Sequence, residues 1–206
     1  MCIISVYYTH PGRIQRGQPS CQSDDMSTLP PAIRSATIHD AAALAELVDF
    51  AGEGLPLYLW TKMAKGGEDP WAVGRDRARR EEGSFSYRNA SVIEREGAVV
   101  ACLIGYPLAG EPEPIGADMP AMFVPLQELE NLAPGTWYVN VLAGYPQWRG
   151  HGLGTALLQH AETLARTAGV KNGMSVIVAD SNTGARRLYE RVGYREVAKR
   201  PMVKEN

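Results

Sequence analysis

The last third of the sequence alternates strand-like and helix-like segments. Residues 135–144, "GTWYVNVLAG", have the apolar and aromatic composition of a strand, and residues 152–169 repeat apolar side chains at helical spacing. A continuous apolar run over 173–180 then predicts a buried central strand, and a second helix follows it. This alternation predicts an α/β fold in which helices flank a sheet.

The first half of the chain indicates the same class of fold. Residues 32–37 are strand-like, and Asp40 is expected to cap an amphipathic helix over 41–51. The glycines and proline of residues 52–60 are expected to break that helix, and an Asp-Pro pair at residue 69 predicts the start of another.

Two β-rich runs, 90–95 and 98–108, are separated by Glu96 and Gly97 and predict an antiparallel hairpin. The connection from 107 to 134 is too long and too rich in proline for a turn, and it has room for one short helix. Connections of this length are usually functional or mobile, so we consider both a lid over a binding site and a surface insertion.

Composition narrows the classes of function. The chain has 206 residues, 45% of them hydrophobic and 21% charged, as expected for one globular domain. A net charge of -2 provides no basic surface for nucleic acid, and no apolar run approaches the roughly 18 residues that span a bilayer. Three cysteines without CxxC spacing predict neither a disulfide framework nor a metal site, and they favour a cytoplasmic protein.

Residues 1–30 depart from the regular pattern. The run "CIISVYY" is apolar, but it lacks the basic region and the small-residue cleavage site of a signal peptide, and a Gly/Pro/Ser-rich stretch follows it. We therefore expect a poorly ordered extension over 1–30, with Met26 near the start of a single domain over 31–206.

The loop "RGHGLGT", residues 149–155, joins a predicted strand to a predicted helix. Free backbone N–H groups at the positive end of a helix dipole form an anion site, and phosphate is the natural occupant. The dinucleotide pattern GxGxxG fails because Thr155 stands where it requires glycine, and the P-loop fails because no GKS or GKT follows.

The remaining pattern is R-x-x-G-x-G, formed by Arg149, Gly152 and Gly154. It resembles the acyl-CoA-binding motif of the GCN5-related N-acetyltransferase (GNAT) superfamily. The strand before the loop, the helix after it, the next strand and the "NxxAxxLYExxGY" of residues 182–194 follow in the order of that superfamily. The resemblance covers about residues 135–199 and implies a mixed central sheet with helices on both faces, the acyl-CoA N-acyltransferase fold.

The resemblance also implies where acetyl-CoA binds. Glycines allow the loop backbone to approach the pyrophosphate, and the end of the preceding strand would pair with the pantetheine arm. Gly144 departs from the branched apolar residue that is usual there, which implies a more open or more flexible wall. The implied cofactor-binding residues are Leu142, Ala143, Gly144, Arg149, Gly150, His151, Gly152, Leu153, Gly154, Thr155, Asn182 and Ala185.

Four residues are catalytic candidates, one for the acid and three for the base. By resemblance, Tyr189 is the acid that protonates the leaving thiolate, although a tyrosine at helical spacing also suits a core position. The base is less defined: Asn140 is a polar residue within a strand, while Glu128 and Glu130 precede that strand and could reach an acceptor amine. Asn182 could orient the cofactor, cap a helix, or do both.

The predicted function is direct transfer of an acetyl group from acetyl-CoA to a primary amine of a small molecule or peptide. A non-catalytic module that binds acyl-CoA, or a transferase of longer acyl chains, is the alternative. The C-terminal residues 194–206 supply one strand where the family usually has two. The second strand is either missing, contributed by a partner chain, or replaced by "CIISVYY", and an exposed edge would favour a homodimer.

Overall fold

The computed structural model describes residues 3–10 and 31–203. Its seven strands form one mixed sheet in the order β2-β3-β4-β5-β6-β1-β7, flanked by helices as predicted. The strands are β1 Ile3–Thr9, β2 Ile33–Ser35, β3 Ala90–Arg95, β4 Ala98–Pro107, β5 Trp137–Gly144, β6 Met174–Ala179 and β7 Arg195–Pro201. The helices are α1 Ala41–Ala51, α2 Leu55–Met63, α3 Pro70–Ala78, α4 Val124–Glu130, α5 Leu153–Thr167 and α6 Thr183–Arg191.

Strand β1 corrects the expectation for the start of the chain. Ile3–Thr9 is an ordered strand that pairs antiparallel with β6 on one side and with β7 on the other. The expectation of a poorly ordered extension is therefore wrong for these residues, and Ile3–Thr9 occupies the sheet position between β6 and β7. Met26 and the rest of 11–30 lie outside the described residues.

The chain divides into two compact units, and β5 and α5 each contribute to both. Among the described residues, the first unit contains 3–10, 106–139 and 161–203, and the second contains 31–105 and 140–160. In the first unit, Ile4 and Val6 of β1 pack with Leu129 of α4. The run of buried residues along β1 is typical of a strand inside a sheet.

The second unit has its own apolar core. Leu44 and Leu47 of α1 are fully buried, and they share a cluster with Trp60 of α2. A side chain at Gly74 of α3 would come within 2.6 Å of the Trp60 ring, so glycine allows α3 to approach α2 closely. Glu96 and Gly97 both adopt positive φ, which forms the predicted tight hairpin between β3 and β4.

Two local expectations for this unit are corrected. The segment over 52–60 does interrupt α1, but Leu55–Met63 then forms helix α2, because proline is tolerated in the first turn of a helix. Asp40 precedes α1 as predicted, but its carboxylate accepts hydrogen bonds from the Thr37 backbone and from Arg34, not from the amides of α1. Asp69 caps α3 through the amide of Trp71, as the Asp-Pro signal predicted.

No helix within 3–10 and 31–203 is long and apolar enough to cross a membrane.

Candidate active site

Residues 149–155 lead into α5 and are called the glycine loop below. This loop has the backbone that an anion site requires. Gly150 and Gly152 adopt φ of 82° and 76°, which residues other than glycine rarely adopt. A Cβ at either glycine would meet no atom within 4 Å, so the space beside this backbone is open. Within the described part of the chain, no backbone carbonyl accepts a hydrogen bond from the N–H groups of residues 150–155.

Helix α5 adds its dipole to these donors. It begins at Leu153 and runs for 15 residues, so its positive end lies at the glycine loop. Gly154 and Thr155 belong to the first turn, whose amides have no acceptor within the helix. The open glycines and the free N–H groups fit the pyrophosphate of acetyl-CoA.

Arg149, the first residue of the loop, stabilises it through two contacts. Its Nε donates a hydrogen bond to the Gly144 carbonyl oxygen at 3.3 Å, and its own carbonyl lies 3.1 Å from His151 Nδ1. A methyl group at Gly144 would meet Ala101 Cβ at an ordinary 3.6 Å, so this glycine leaves space without being required by the backbone. The bond to Gly144 fixes the loop to the end of β5, and the contact with His151 lies within the loop.

Strand β5 pairs in parallel with β6 through Trp137, Tyr138 and Val139. Its next five residues continue the strand, and Asn140, Leu142, Ala143 and Gly144 are half-buried there. These four predicted site residues belong to the second unit, as does the glycine loop. The first unit contains the other predicted residues, which are Glu130, Asn182, Ala185 and Tyr189.

Asn182 caps helix α6. Its side-chain oxygen accepts a hydrogen bond from the Ala185 amide at 3.1 Å. This bond satisfies one of the free amides at the helix start and fixes the position of α6 relative to the preceding turn. The structural role expected for Asn182 is therefore present.

Tyr189 lies on α6 and is buried, with 4% of its surface exposed. Its ring centroid is 5.6 Å from that of Tyr194 and 6.4 Å from that of Tyr7. Burial raises the pKa of the Tyr189 hydroxyl, so the phenol keeps its proton at neutral pH.

Glu130 ends helix α4 and is the carboxylate that the fold perturbs most clearly. Burial, together with the negative charge of Glu113, raises the pKa of Glu130 to about 7. A hydrogen bond from the Tyr138 hydroxyl acts in the opposite direction. Burial also raises the pKa of Tyr138, and the nearby Glu130, Tyr106 and Tyr189 add to this effect. Glu130 and Tyr189 both lie near enough to Tyr138 to act on its pKa, so the three side chains are close together within the first unit.

Glu128 has a different environment. Its carboxylate accepts a hydrogen bond from Arg200 Nε at 2.6 Å, and both side chains are more than a third exposed. Glu128 is therefore engaged in an ion pair with Arg200, whereas the pKa of Glu130 lies near neutrality, as expected of a general base.

Sequence reasoning missed two residues of this region. Glu113 comes close to Glu130 because the connection over 108–123 folds back onto α4, and no local pattern indicates that contact. Tyr7 packs against Tyr189, but the expectation of disorder over 1–30 removed it from consideration. The signal that could have identified Tyr7 is the uncharged apolar run of 2–8, which is typical of a buried strand.

No group of three or more His, Cys, Asp or Glu side chains within 3–10 and 31–203 is arranged to hold a metal ion.

Comparison with models of protein families shows which family this chain belongs to. The model described as "Acetyltransferase (GNAT) family" matches residues 56–194, two thirds of the chain. This chain belongs to the GNAT acetyltransferase family. The expected family and the expected fold are thereby confirmed. GNAT enzymes as a family use acetyl-CoA.

Solved GNAT structures show the same fold. An acetyltransferase with 23% identity aligns over 81% of this chain and 90% of its own, with a TM-score of 0.58. An N-acetyltransferase from Staphylococcus aureus Mu50 has 20% identity, coverage of 83% and 94%, and a TM-score of 0.55. An aminoglycoside N-acetyltransferase in complex with CoA has 11% identity, coverage of 85% and 93%, and a TM-score of 0.52. Sequence comparison with curated proteins gives no match.

Proposed function

We propose that this protein transfers the acetyl group of acetyl-CoA directly to a primary amine, with Glu130 as general base and Tyr189 as general acid. The observation that carries the proposal is that Glu130 and Tyr189 both lie near the buried Tyr138 within one unit. This arrangement combines a carboxylate able to accept a proton at neutral pH with a phenol that retains its own.

Glu130 has the properties that the first proton transfer requires. A primary amine is an ammonium ion at neutral pH and must lose a proton before it can attack a carbonyl carbon. A carboxylate with a pKa of about 7 is half ionised at pH 7, so it is available as a base. Its raised pKa also gives it a higher proton affinity than an ordinary glutamate. The Tyr138 hydroxyl lies near this carboxylate and lowers its pKa.

Tyr189 is suited to the opposite transfer. Its hydroxyl is neutral at pH 7, as any phenol with a raised pKa is, and carries a proton that can hydrogen-bond a departing thiolate or pass to it. Asn140 remains a candidate for holding the acceptor or a water molecule, as its place in β5 suggested.

Acetyl-CoA supplies an activated acetyl thioester. We assign its pyrophosphate to the backbone amides of residues 150–155 and its pantetheine arm to residues 142–144 of β5. Arg149 braces the loop through Gly144, and Asn182 holds the start of α6 through the Ala185 amide.

The acceptor is a cationic amine in this proposal. Glu113 and Glu130 place two carboxylates near each other, and such a pair attracts an ammonium group. The segment that carries Glu113 is attached at two points, since Gly135 donates to the Ala109 carbonyl at 2.7 Å and Asn131 bonds the Glu113 backbone. These bonds favour a fixed wall beside the acceptor over the lid considered from its length.

Two finer expectations belong to the proposal. Cys102 is a buried free thiol, which suits the reducing cytoplasm where we place the protein. The expected homodimer rested on a missing strand, and β1 occupies that position, so this argument for a dimer loses its basis.

The test is release of free CoA thiol from acetyl-CoA with a panel of primary amines, which includes polyamines, amino sugars and peptide N-termini. The proposal expects amine-dependent turnover and acetylation of the amine. Tight binding of acetyl-CoA without turnover on any amine would favour the acyl-CoA-binding module, and faster turnover with a longer acyl-CoA would favour the longer-chain transferase.

A further inference from the structure

We infer that Tyr7, on the N-terminal strand β1, is a positioning residue for Tyr189. The inference rests on the proposed role of Tyr189 as the general acid. It makes strand β1 part of what orders the active site, and the motifs of the C-terminal half do not contain this strand.

The hydroxyl of Tyr7 is bonded to the helix that carries Tyr189. It accepts a hydrogen bond from Arg186 Nε at 2.8 Å, and it lies 3.4 Å from the Glu190 Oε1 to which it can donate. Arg186, Tyr189 and Glu190 lie at i, i+3 and i+4 on α6, so they share one face of the helix. Tyr7 therefore contacts α6 on both sides of Tyr189.

The ring of Tyr7 completes this contact. It is fully buried and packs against the Tyr189 ring with an interplanar angle of 43°. Polar contacts at residues 186 and 190, with an aromatic contact between them, fix the rotation of α6 about its axis. That rotation determines where the Tyr189 hydroxyl points.

The strand pairing around Tyr7 is irregular. Val6 faces Ala198 of β7 and Tyr7 faces Glu196, so Val197 is one extra residue in β7. Bulges of this kind re-aim side chains and are frequent beside active sites. The irregularity brings Glu196 Oε2 to 3.5 Å from the Tyr7 hydroxyl and to 3.7 Å from Arg186 Nη2.

A second bond holds β1 to the same region. Ser5 is two residues before Tyr7, so both side chains lie on one face of the strand, and Ser5 Oγ donates to Asp180 Oδ1 at 2.9 Å. Asp180 also accepts from Arg186 Nη1 through its backbone carbonyl at 3.5 Å. Strand β1 therefore secures Arg186 directly and through Asp180.

The experiment compares Tyr7→Phe with Tyr8→Phe in the full chain. The first variant keeps the buried ring and removes only the hydroxyl that reaches α6. The second removes the neighbouring hydroxyl, which bonds the Asn172 carbonyl instead. We expect Tyr7→Phe to lower kcat about tenfold and to leave the KM for acetyl-CoA within about twofold, because orientation of the acid is lost while cofactor binding is kept. Tyr8→Phe is expected to leave both constants within about twofold.

A double-mutant cycle with Tyr189→Phe separates positioning from a general loss of stability. If Tyr7 acts through Tyr189, the double variant is no slower than Tyr189→Phe alone. Arg186→Lys serves as a second variant that breaks the same bond, and thermal midpoints of all variants are measured alongside. Unchanged kcat in both Tyr7→Phe and Arg186→Lys, or losses that multiply in the double variant, would overturn the inference. Wild-type turnover in Tyr189→Phe would instead overturn the proposed acid.

Discussion

Asn131 Nδ2 donates a hydrogen bond to the backbone carbonyl of Glu113 at 2.8 Å, and the Glu113 amide returns one to Asn131 Oδ1 at 2.9 Å. This reciprocal pair joins the 108–123 segment to the residue that follows Glu130. It explains why the charge of Glu113 acts on the Glu130 carboxylate. The acidity of the proposed base is thus set partly by a residue 17 positions away in the chain.

The first prediction concerns this charge. The pH profile of kcat/KM is expected to rise through about pH 7 as Glu130 loses its proton. Because Glu113 raises the pKa of Glu130, Glu113→Gln lowers that pKa and moves the rise to lower pH. Glu111→Gln changes an exposed carboxylate of the same segment and should leave the profile in place when the same amine is used. An unmoved profile in Glu113→Gln would contradict the coupling.

The second prediction concerns the glycine loop. Acetyl-CoA should raise the thermal midpoint of the wild type. Gly152→Asp should abolish that rise, because a carboxylate at φ of 76° places bulk and negative charge beside the proposed pyrophosphate site.

Gly169→Asp is the matched control for this loop variant. Gly169 lies just past the other end of α5, at φ of 73° with similarly open surroundings, so its substitution carries the same backbone strain. Both variants should therefore have a lower midpoint without ligand, and only Gly169→Asp should respond to acetyl-CoA. An equal response in both would remove the pyrophosphate from this loop.

The sequence predicts those parts of the fold whose hydrogen bonds join residues close together in the chain. The turn at Glu96 and Gly97, the cap at Asp69 and the capped helix at Asn182 all involve bonds within a few residues, and each formed as predicted. Helix α2 was missed because Pro56 reads as a helix breaker, although it stands in the first turn where no amide donor is needed.

Strand β1 and the state of Glu130 could not be predicted for a different reason. The strand is held by pairing with β6 and β7, which lie more than 160 residues away, and by side chains such as Asp180. The pKa of Glu130 depends on burial and on Glu113, which arise only once the chain has folded. The sequence could nominate Glu128 and Glu130 equally, and only tertiary structure separates them.

The third prediction concerns stability in acid. Arg34 donates to both oxygens of Asp40 at 2.8 and 2.9 Å, and these bonds lower the pKa of Asp40 to about 2. Because the folded pKa lies below the unfolded one, the stabilisation is present above about pH 4 and is lost as pH falls towards 2. Asp40→Asn should lower the free energy of unfolding at pH 7 by about 1–2 kcal/mol, a range reduced for the partial exposure of Arg34.

Urea unfolding of Asp40→Asn and wild type at several pH values measures this effect. The difference between them should shrink below about pH 4. Asp76→Asn removes the exposed pair with Arg79 and should cost less than about 0.5 kcal/mol at any pH. A difference between wild type and Asp40→Asn that stays constant down to pH 3 would contradict the assigned ion pair.

The most direct test of the account is the rate of amine acetylation by Glu130→Gln beside Glu128→Gln, with the amine that the panel identifies. Both variants remove one carboxylate from α4, but Glu130 has the raised pKa of a base, whereas Glu128 is paired with Arg200. We predict that kcat/KM falls about a hundredfold or more in Glu130→Gln and stays within about twofold of wild type in Glu128→Gln. Wild-type acetylation by a folded Glu130→Gln would contradict the assignment of Glu130 as the general base.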